Sequence, residues 1–593
     1  MIENVKNYVL TNRIKLLNFS ILIFTTYLTS AWINLFYIST RNADFDKYYN
    51  YINFFLGADV NIEYGQGVLY YFLVTSVFQR NLKYVDEISL EYLLSNSIQN
   101  INLIFYLVGI LGIYRLFKVL KFNENLIIFS LSILNFFPQA IYVRAVMKPE
   151  IIGFSFFPWI LYFFERYKKD KNILNLFYAI PFFVMVFTAK GSIGGMVTVY
   201  CLFSYFFILK KPRQNAIYIV LITLVLSFSL IMYENYSITG NFLFEREYDE
   251  DYDNQANLKS IFNFNLKDIY LESQFNSSYT IGDKENVHAN SILNSLILDS
   301  FGDFYNQLFN LDINYFSQNR KDLFTTDGDE IINKNRQILY NGPFYEVFDK
   351  NLNGVRRALS STVSILFYAG LIYLIYKDKK FRKFYLLPFF GMLTLFVNSL
   401  GIPTNNYNPF LGDTYKVFYF NFFICITFLL VILKILSKLK YLRIFILIFW
   451  VLLTFFLAGH PKEVNQVFSE QLSLSNQYSF SCSLNNSIFF KNKIIKYFHE
   501  SPLANNAIAD CDLKTGIFPL NDDRKRNTEF CFDNNSISQV SSRNSDCRLV
   551  YIDYLYVSGR DKPPVYPIFS IILIFTAFFI VVKNFKFRTK LLD

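Results

Sequence analysis

Apolar blocks, many of them long enough to cross a bilayer, recur about a dozen times along this 593-residue chain. A transmembrane helix needs about 20 predominantly apolar residues. Only 18% of the residues are charged, whereas soluble domains carry about a quarter. The chain is therefore predicted to be an all-α polytopic membrane protein with about 12 transmembrane helices. Hydropathy places the spans near residues 18–38, 98–116, 126–141, 151–164, 174–188, 194–209, 216–232, 361–376, 386–400, 415–436, 442–458 and 565–582.

The positive charge lies between these blocks. The formal net charge is +10, which could suggest a nucleic-acid partner, but the Lys and Arg residues form short clusters in alternate connections. That spacing is typical of cytoplasmic loops under the positive-inside rule. We therefore expect no nucleic-acid partner, a bilayer as the surroundings, and a multi-pass protein of the bacterial inner membrane with both termini in the cytoplasm. The basic clusters lie at residues 118–121, 168–171, 210–213, 377–383, 434–443 and 583–590.

This orientation places most of the polar mass on the outer face. Residues 1–458 form the predicted transmembrane region, with a first outer loop at 39–97 and a large outer loop at 233–360. The apolar stretch at 67–78 is too short to span, so it is predicted as an interfacial helix. Residues 459–564 form a predicted periplasmic domain of mixed or irregular structure. Residues 565–593 supply the last helix and a basic cytoplasmic tail.

Cysteine usage agrees with this sidedness. Cys201 and Cys425 lie in apolar spans, where a small buried hydrophobic residue is expected. The other four cysteines all lie in the predicted periplasmic domain, in an oxidising compartment where two disulfides are expected with three open pairings. A zinc site is the alternative, although no CxxC spacing is present. These four are Cys482, Cys511, Cys531 and Cys547.

The first outer loop carries two carboxylates, Asp44 and Asp46, a few residues beyond the first span. Phe45, Tyr49, Ile52 and Leu56 follow at helical spacing, which predicts an amphipathic helix along the membrane surface. Such a helix would hold both carboxylates near the depth of the lipid headgroups. The alternative is structural, because an Asp can cap a helix N-terminus and a second can favour its first turn.

An uncleaved first helix, an outer loop opening with Asp residues and two interfacial helices together resemble the GT-C superfamily of membrane glycosyltransferases. The similarity spans about residues 10–460 as an arrangement of elements. The resemblance implies a sugar donor carried on a polyprenyl phosphate and a glycan or lipid acceptor. Asp44-Phe45-Asp46 is not an Asp-Glu pair of the kind seen in protein mannosyltransferases, and the chain has no WWDYG-like motif of oligosaccharyltransferases. Those two branches are therefore disfavoured.

The resemblance also implies functional residues. Asp44 and Asp46 occupy the place of the catalytic carboxylate, and Glu150 resembles the position of a second acidic residue. The segments around His288 and residues 299–303 lie in the large outer loop, where donor and acceptor contacts cluster. The implied substrate-binding residues are Tyr64, Arg144, Lys148, Glu150, Lys190, His288, Asp413 and Lys416.

The expected chemistry explains these residue types. Inverting transfer needs a base for the acceptor hydroxyl, and a carboxylate in hydrogen-bond reach contributes about 10²–10⁴-fold. The departing phosphate needs cations or a metal to offset its charge. Lys148, Arg144, Lys190 and Lys416 are outer-side cations, although Lys190 could equally be a loop residue at a turn. Asp44, Asp46 and Glu150 could supply oxygen ligands for Mg or Mn, and this remains open because other superfamily members need no metal.

Two other functions remain as alternatives. A glycan polymerase or ligase of the O-antigen type also combines many helices with a large outer loop, and Arg356 and Arg357 would be its candidate arginines. A transporter is the other alternative. Transporters place ionisable groups at the midplane, often on broken helices in repeated halves. The sequence has no evident halves, which favours an enzyme acting on the outer face.

Overall fold

The computed structural model describes the chain in segments. These segments are residues 2–36, 48, 51–52, 54–55, 67–81, 90–207, 214–239, 292–302, 350–399, 417–457, 480–483, 493–498, 530–533, 536–539, 548–550, 552–555 and 567–585. Outside residues 480–555, every regular element in these segments is helical. The prediction of an α-helical membrane region is thus confirmed for the described part.

The helices follow the predicted spans closely. Their bounds are α1 Ile2–Phe36, α2 Leu69–Asn81, α3 Leu90–Val119, α4 Glu124–Leu134, α5 Pro138–Ala145, α6 Glu150–Asp170, α7 Leu174–Ala189, α8 Gly191–Leu202, α9 Gln214–Thr239, α10 Ile292–Asp299, α11 Lys350–Lys377, α12 Arg382–Tyr385, α13 Leu387–Ser399, α14 Asn421–Lys438, α15 Arg443–Leu457 and α16 Ile568–Phe585. A π-helical turn, Phe203–Phe207, extends α8, and 3₁₀ turns occur at Val417–Phe420 and Lys440–Leu442.

Length and composition identify the membrane-crossing helices. Within the described residues, five helices are long and apolar enough to cross a bilayer, and a bent pair makes up to six. The five spans are Arg13–Asn34, Leu94–Val119, Ile217–Glu234, Ala358–Lys377 and Val417–Lys438. The predicted helix near residues 67–78 is α2, whose 13 residues rise about 20 Å and so cannot span alone.

The predicted single span at 126–141 is wrong in one respect, because it is two helices. α4 and α5 meet at a bend of 64°. Pro138 has no backbone N–H and disfavours helical geometry in the residue before it, and Phe137 is accordingly extended at ψ 128. Hydropathy averaged over the span does not register such a break, because Asn135 and Gln139 are the only strongly polar residues within it.

Aromatic and hydroxyl groups pack α3, α6 and α7 together in the centre. The Trp159 indole is buried, donates to the Val108 carbonyl oxygen at 2.9 Å, and stacks on Phe182. Ser155 donates to the Phe105 carbonyl oxygen at 2.6 Å. Buried indoles and hydroxyls are stabilising when they find such partners, since an unpaired polar group costs free energy.

Charged groups meet across helices at one end of the bundle. Lys15 and Lys118 pair with Glu124 at 3.0 and 3.6 Å, and Lys434 pairs with Asp378 at 2.8 Å. A separate, buried ion pair joins Glu165 of α6 to Lys383 of α12, and Tyr205 of the π-helical turn donates to the same carboxylate. These contacts connect several of the predicted basic clusters.

Residues 480–555 contribute short strands. Strands β1 Phe480–Ser483, β2 Lys493–Phe498 and β6 Ile552–Leu555 form one antiparallel sheet in the order β1-β2-β6. Strands β3 Phe530–Asp533, β4 Ser536–Gln539 and β5 Arg548–Val550 form a second, in the order β4-β3-β5. Phe480 lies opposite Lys496, and Cys531 lies opposite Leu549.

The cysteine expectations divide accordingly. Cys201 and Cys425 are free and buried, as predicted. Cys482 and Cys531 lie on strands β1 and β3, whereas Cys511 and Cys547 lie outside the described residues. The disulfides therefore remain a prediction.

Candidate functional site

The break between α4 and α5 is held by Arg144. Its guanidinium donates to the carbonyl oxygens of Ala140 and Asn135 at 2.8 and 2.7 Å and to the Thr29 hydroxyl at 2.8 Å. It also lies 4.4 Å from the centre of the Tyr106 ring and is 1% exposed. These contacts satisfy carbonyl groups around the bend. They favour a structural role for Arg144 over the predicted substrate contact.

Asn102 of α3 fixes the connection that follows α5. Its amide donates to the carbonyl oxygens of Arg144 and Val146 at 3.1 and 2.9 Å. Its own oxygen accepts a hydrogen bond from the Tyr70 hydroxyl of α2 at 2.9 Å. A fully bonded buried amide holds the backbone rigidly. The turn that carries Lys148 and Glu150 is therefore anchored to two helices.

Lys148, Glu150 and Lys190 come together at this turn, and we call them the KEK cluster. The Lys190 ammonium lies 2.8 Å from Oε1 of Glu150, and Glu150 is fully buried. Tyr419 joins the three residues, since its ring centre is 3.9 Å from the Lys190 ammonium and 5.6 Å from that of Lys148. The Lys148 ammonium also lies 5.4 Å from the centre of the Tyr48 ring. Four separate parts of the chain thus supply one site.

The start of α2 packs against the turn that presents Lys190. The backbone N–H of Gly67 donates to the Ala189 carbonyl oxygen at 3.2 Å. A Cβ at residue 67 would lie 2.2 Å from the Thr188 carbonyl oxygen, so only glycine fits. The first outer loop is therefore joined to the α7–α8 turn by backbone contact.

The charges of the KEK cluster suit an anion. Two lysines and one glutamate give a formal charge of +1 (two positive minus one negative). Oε2 of Glu150 is buried, and the described residues offer it no hydrogen-bond partner. Buried ions need partners because desolvation is costly. A ligand with a phosphate for the lysines and a donor for Glu150 would complete the site.

The predicted site residues divide into those that the structure places and those that it does not. It brings Lys148, Glu150 and Lys190 together, and it places Arg144 at the helix break. The other predicted residues lie outside the described segments, although Lys416 immediately precedes the turn that carries Tyr419. The residues outside are Asp44, Asp46, Tyr64, His288, Asp413 and Lys416.

Sequence reasoning missed Tyr419, Asn102 and Tyr70. A polar Asn102 inside the apolar span at 98–116 was a usable signal, because buried amides need specific partners. Tyr419 carried no such signal, since the chain contains 44 tyrosines.

The described residues offer little for a metal. They contain no group of three or more His, Cys, Asp or Glu side chains that could hold an ion. Glu150 is the carboxylate of the KEK cluster, so a ligand set for Mg or Mn would need Asp44 and Asp46 as well.

The central part of this region matches a known family. Residues 88–233 match the family model of dolichyl-phosphate-mannose-protein mannosyltransferase, and this segment includes all three residues of the KEK cluster. No curated protein and no solved structure gives a significant match. The sequence analysis disfavoured the protein mannosyltransferase branch, whereas this segment is similar to the model of that family. Residues 88–233, about a quarter of the chain, are thus similar to a glycosyltransferase family of the GT-C superfamily.

Proposed function

We propose that this protein is a membrane glycosyltransferase that moves a sugar from a polyprenyl-phosphate donor to an acceptor on the outer face of the bacterial inner membrane. The acceptor is a surface glycan, a glycolipid or a protein. The observation that carries the proposal is the KEK cluster within the family-matched segment, where a buried carboxylate pairs with the Lys190 ammonium and the Lys148 ammonium lies against the same Tyr419 ring as Lys190.

The chemistry assigns different roles to the two parts of the site. Asp44 or Asp46 takes the proton of the acceptor hydroxyl as its oxygen attacks the anomeric carbon, and the bond to the donor phosphate breaks. Lys148 and Lys190 offset the negative charge that develops on the departing phosphate. Glu150 holds Lys190 in place through the 2.8 Å contact.

Chain length supports bringing Asp44 to this cluster. Tyr48 packs near the Lys148 ammonium at 5.4 Å, and it lies four positions after Asp44. Four residues span at most about 14 Å. The backbone contact of Gly67 with Ala189 joins the other side of the loop to the same place. Tyr64 lies three positions before Gly67 and is a candidate substrate contact for the same reason.

The proposed topology has about twelve spans with both termini in the cytoplasm. Supporting it, Lys15, Lys118 and Lys434 pair with Glu124 and Asp378 at one end, where connections are basic. Lys190 lies at the opposite end of α7 from the basic connection at 168–171. The KEK cluster then faces the outer side, together with the strand-containing region at 459–564 and its proposed disulfides.

The type of donor linkage tests this function against its nearest alternative. The purified protein in lipid vesicles would be given a labelled sugar on a polyprenyl monophosphate or a labelled oligosaccharide on a polyprenyl pyrophosphate. We expect transfer only from the monophosphate. Transfer only from the pyrophosphate would replace the proposal with a polymerase or ligase, for which Arg356→Ala and Arg357→Ala would then abolish activity.

A further inference from the structure

Lys148 lies between two tyrosine rings that come from distant parts of the chain. Its ammonium is 5.4 Å from the centre of the Tyr48 ring and 5.6 Å from that of the Tyr419 ring. The Tyr419 ring also lies 3.9 Å from the Lys190 ammonium. An ammonium within about 6 Å of a ring centre is attracted by the negative face of the ring. Tyr419 therefore attracts both lysines of the KEK cluster.

The first ring is fixed by α2. Tyr48 stacks on Tyr71 with ring centres 5.6 Å apart, and both side chains are fully buried. Tyr70, the residue before Tyr71, donates to the Asn102 amide oxygen. The Asn102 amide in turn donates to the backbone carbonyl two residues before Lys148. The Tyr48 ring is thus tied to the same helices that fix the backbone carrying Lys148.

The second ring is presented by the turn Val417–Phe420. Phe420 is fully buried and packs so closely on α13 that a Cβ at Gly391 would lie 2.5 Å from its ring. The other residues of the turn are buried as well, except Tyr419, which keeps part of its surface exposed. The buried residues anchor the turn, and Tyr419 is the residue that the turn directs to the KEK cluster.

The charges show what a ring can do that a second carboxylate could not. A carboxylate beside Lys148 would cancel the net positive charge of the KEK cluster. A ring attracts an ammonium and leaves its charge in place. The two ammonium groups repel each other, and their attraction to one shared ring opposes that repulsion. A bound phosphate would be attracted by both groups and would offset the repulsion.

The two lysines would meet such a phosphate differently. Lys190 keeps 14% of its side chain exposed, so a ligand can touch its ammonium directly. Lys148 is 1% exposed, so it acts through its charge from behind the ring. The position of the Tyr419 ring decides how far this second charge lies from the ligand.

We propose that Tyr419 is a positioning residue, whose ring holds Lys148 and Lys190 together as a binding site for a single phosphate group, that of the polyprenyl-phosphate donor. Tyr48 supplies the second ring against Lys148. The assignment of this phosphate to the donor rests on the proposed function, whereas the role of the ring in phosphate binding does not.

Binding of farnesyl phosphate, a short-chain lipid monophosphate, tests this role without any transfer reaction. Calorimetry on the full-length protein in lipid nanodiscs, with empty nanodiscs as the reference, would compare it with farnesol, which has the same chain and no charge. We expect the unmodified protein to prefer the phosphate and Tyr419→Leu to bind it about tenfold more weakly, with farnesol unaffected. No preference for the phosphate, or equal phosphate affinity in the variant and the unmodified protein, would overturn the proposal.

Graded ring variants separate the ring face from the hydroxyl and from packing. Tyr419→Phe keeps the ring, so we expect an affinity within about twofold of the unmodified protein. Fluorinated phenylalanines at residue 419 weaken the negative face of the ring at nearly the same size, so the affinity should fall with each added fluorine. A loss in Tyr419→Phe as large as in Tyr419→Leu would overturn the proposal, as would an affinity that does not change with fluorination.

Tyr373→Leu is the matched control. The exposed Tyr373 ring lies 5.3 Å from the Lys377 ammonium, near the C-terminal end of α11. This variant removes a contact of the same kind outside the KEK cluster, so we expect unchanged binding of farnesyl phosphate. A loss equal to that of Tyr419→Leu would show that the effect is not specific to the cluster and would overturn the proposal.

The transfer reaction then tests the assignment of the phosphate to the donor. Tyr419→Leu should raise the half-saturating donor concentration about tenfold and leave that of the acceptor unchanged. A raised acceptor value with an unchanged donor value would contradict the assignment. Binding of farnesyl phosphate that depends on Tyr419, without any sugar transfer, would instead count against the proposed function alone.

Discussion

Glu150 is the residue on which the candidate site depends, because it is fully buried and holds Lys190 at 2.8 Å. The resemblance to GT-C enzymes singled out Lys148, Glu150 and Lys190 one by one, as charged residues near apolar spans. Their pairing was not predictable, since it requires α7 and α6 to meet at one end of the bundle. The bonds of Arg144 to the helix break were equally hidden, because they depend on a bend that hydropathy does not register.

Replacing either member of the Glu150–Lys190 pair should cost stability as well as activity. Lys190→Met leaves a buried carboxylate unpaired, which is expected to cost about 3–5 kcal/mol. Glu150→Gln should cost less, because Lys190 keeps 14% of its side chain exposed. The double variant should be more stable than Lys190→Met and still inactive. Thermal unfolding in detergent and donor-dependent transfer measure the two effects, and a double variant with normal transfer would contradict the assigned role.

At the scale of elements, the α7–α8 turn sets the position of Lys190. Hydropathy predicted both helices, and Lys190 was expected either to be functional or to mark a turn. The turn is confirmed, since Lys190 lies between the C-terminal end of α7 and the N-terminal end of α8, and the functional role stays a prediction. What the sequence did not predict is how closely the two helices approach, which depends on a single glycine.

Adjacent glycines in α8 provide a matched test of that close approach. A Cβ at Gly194 would lie 2.5 Å from the Phe187 Cα, whereas one at Gly195 meets nothing within 4 Å. Gly194→Ala should separate α7 from α8, lower the melting temperature and reduce transfer by moving Lys190. Gly195→Ala should be neutral or stabilising by up to about 1 kcal/mol, since alanine favours helix. Equal behaviour of the two variants would disprove the packing account.

The Asp378–Lys434 pair joins the α11–α12 connection to α14 and makes the stability of that end sensitive to acid. Burial raises the pKa of Asp378, but the hydrogen bond and charge of Lys434 and the hydrogen bond from Tyr385 outweigh it, so the pKa lies below its ordinary value. A lowered pKa means that the pair stabilises fully above about pH 4, the value of an unfolded Asp, and loses that contribution as the pH falls through the folded pKa.

Asp378→Asn should therefore reduce the melting temperature at pH 7, with a loss of up to about 1 kcal/mol because the pair is partly exposed. The difference between the variant and the unmodified protein should shrink as the pH falls below about 4. Melting curves in detergent over this range measure it. A difference that is constant with pH would show that the carboxylate charge contributes nothing.

At the scale of the whole molecule, the account requires one orientation in the membrane. Composition and the positive-inside rule predicted the helical class and the sidedness. They could not predict the break at residues 135–138, nor the strands at 480–555, because neither leaves a hydropathy pattern of spanning length.

Alkaline phosphatase needs disulfides and is active only outside the cytoplasm. Fusions after residues 44, 405 and 460 should be active, and fusions after residues 121, 171, 380 and 440 inactive. Activity in the second group would invert the topology.

Sugar transfer by carboxylate variants of the first outer loop tests the central claim most directly. Asp44→Ala, Asp46→Ala and the double variant would be compared with the unmodified protein at equal amounts in membranes, using a labelled polyprenyl-monophosphate sugar. At least one single variant and the double variant should lose about 10²–10⁴-fold in rate, because a general base is missing, while membrane insertion is unchanged. Full transfer by all three variants would contradict the claim that a carboxylate just beyond the first helix carries the reaction.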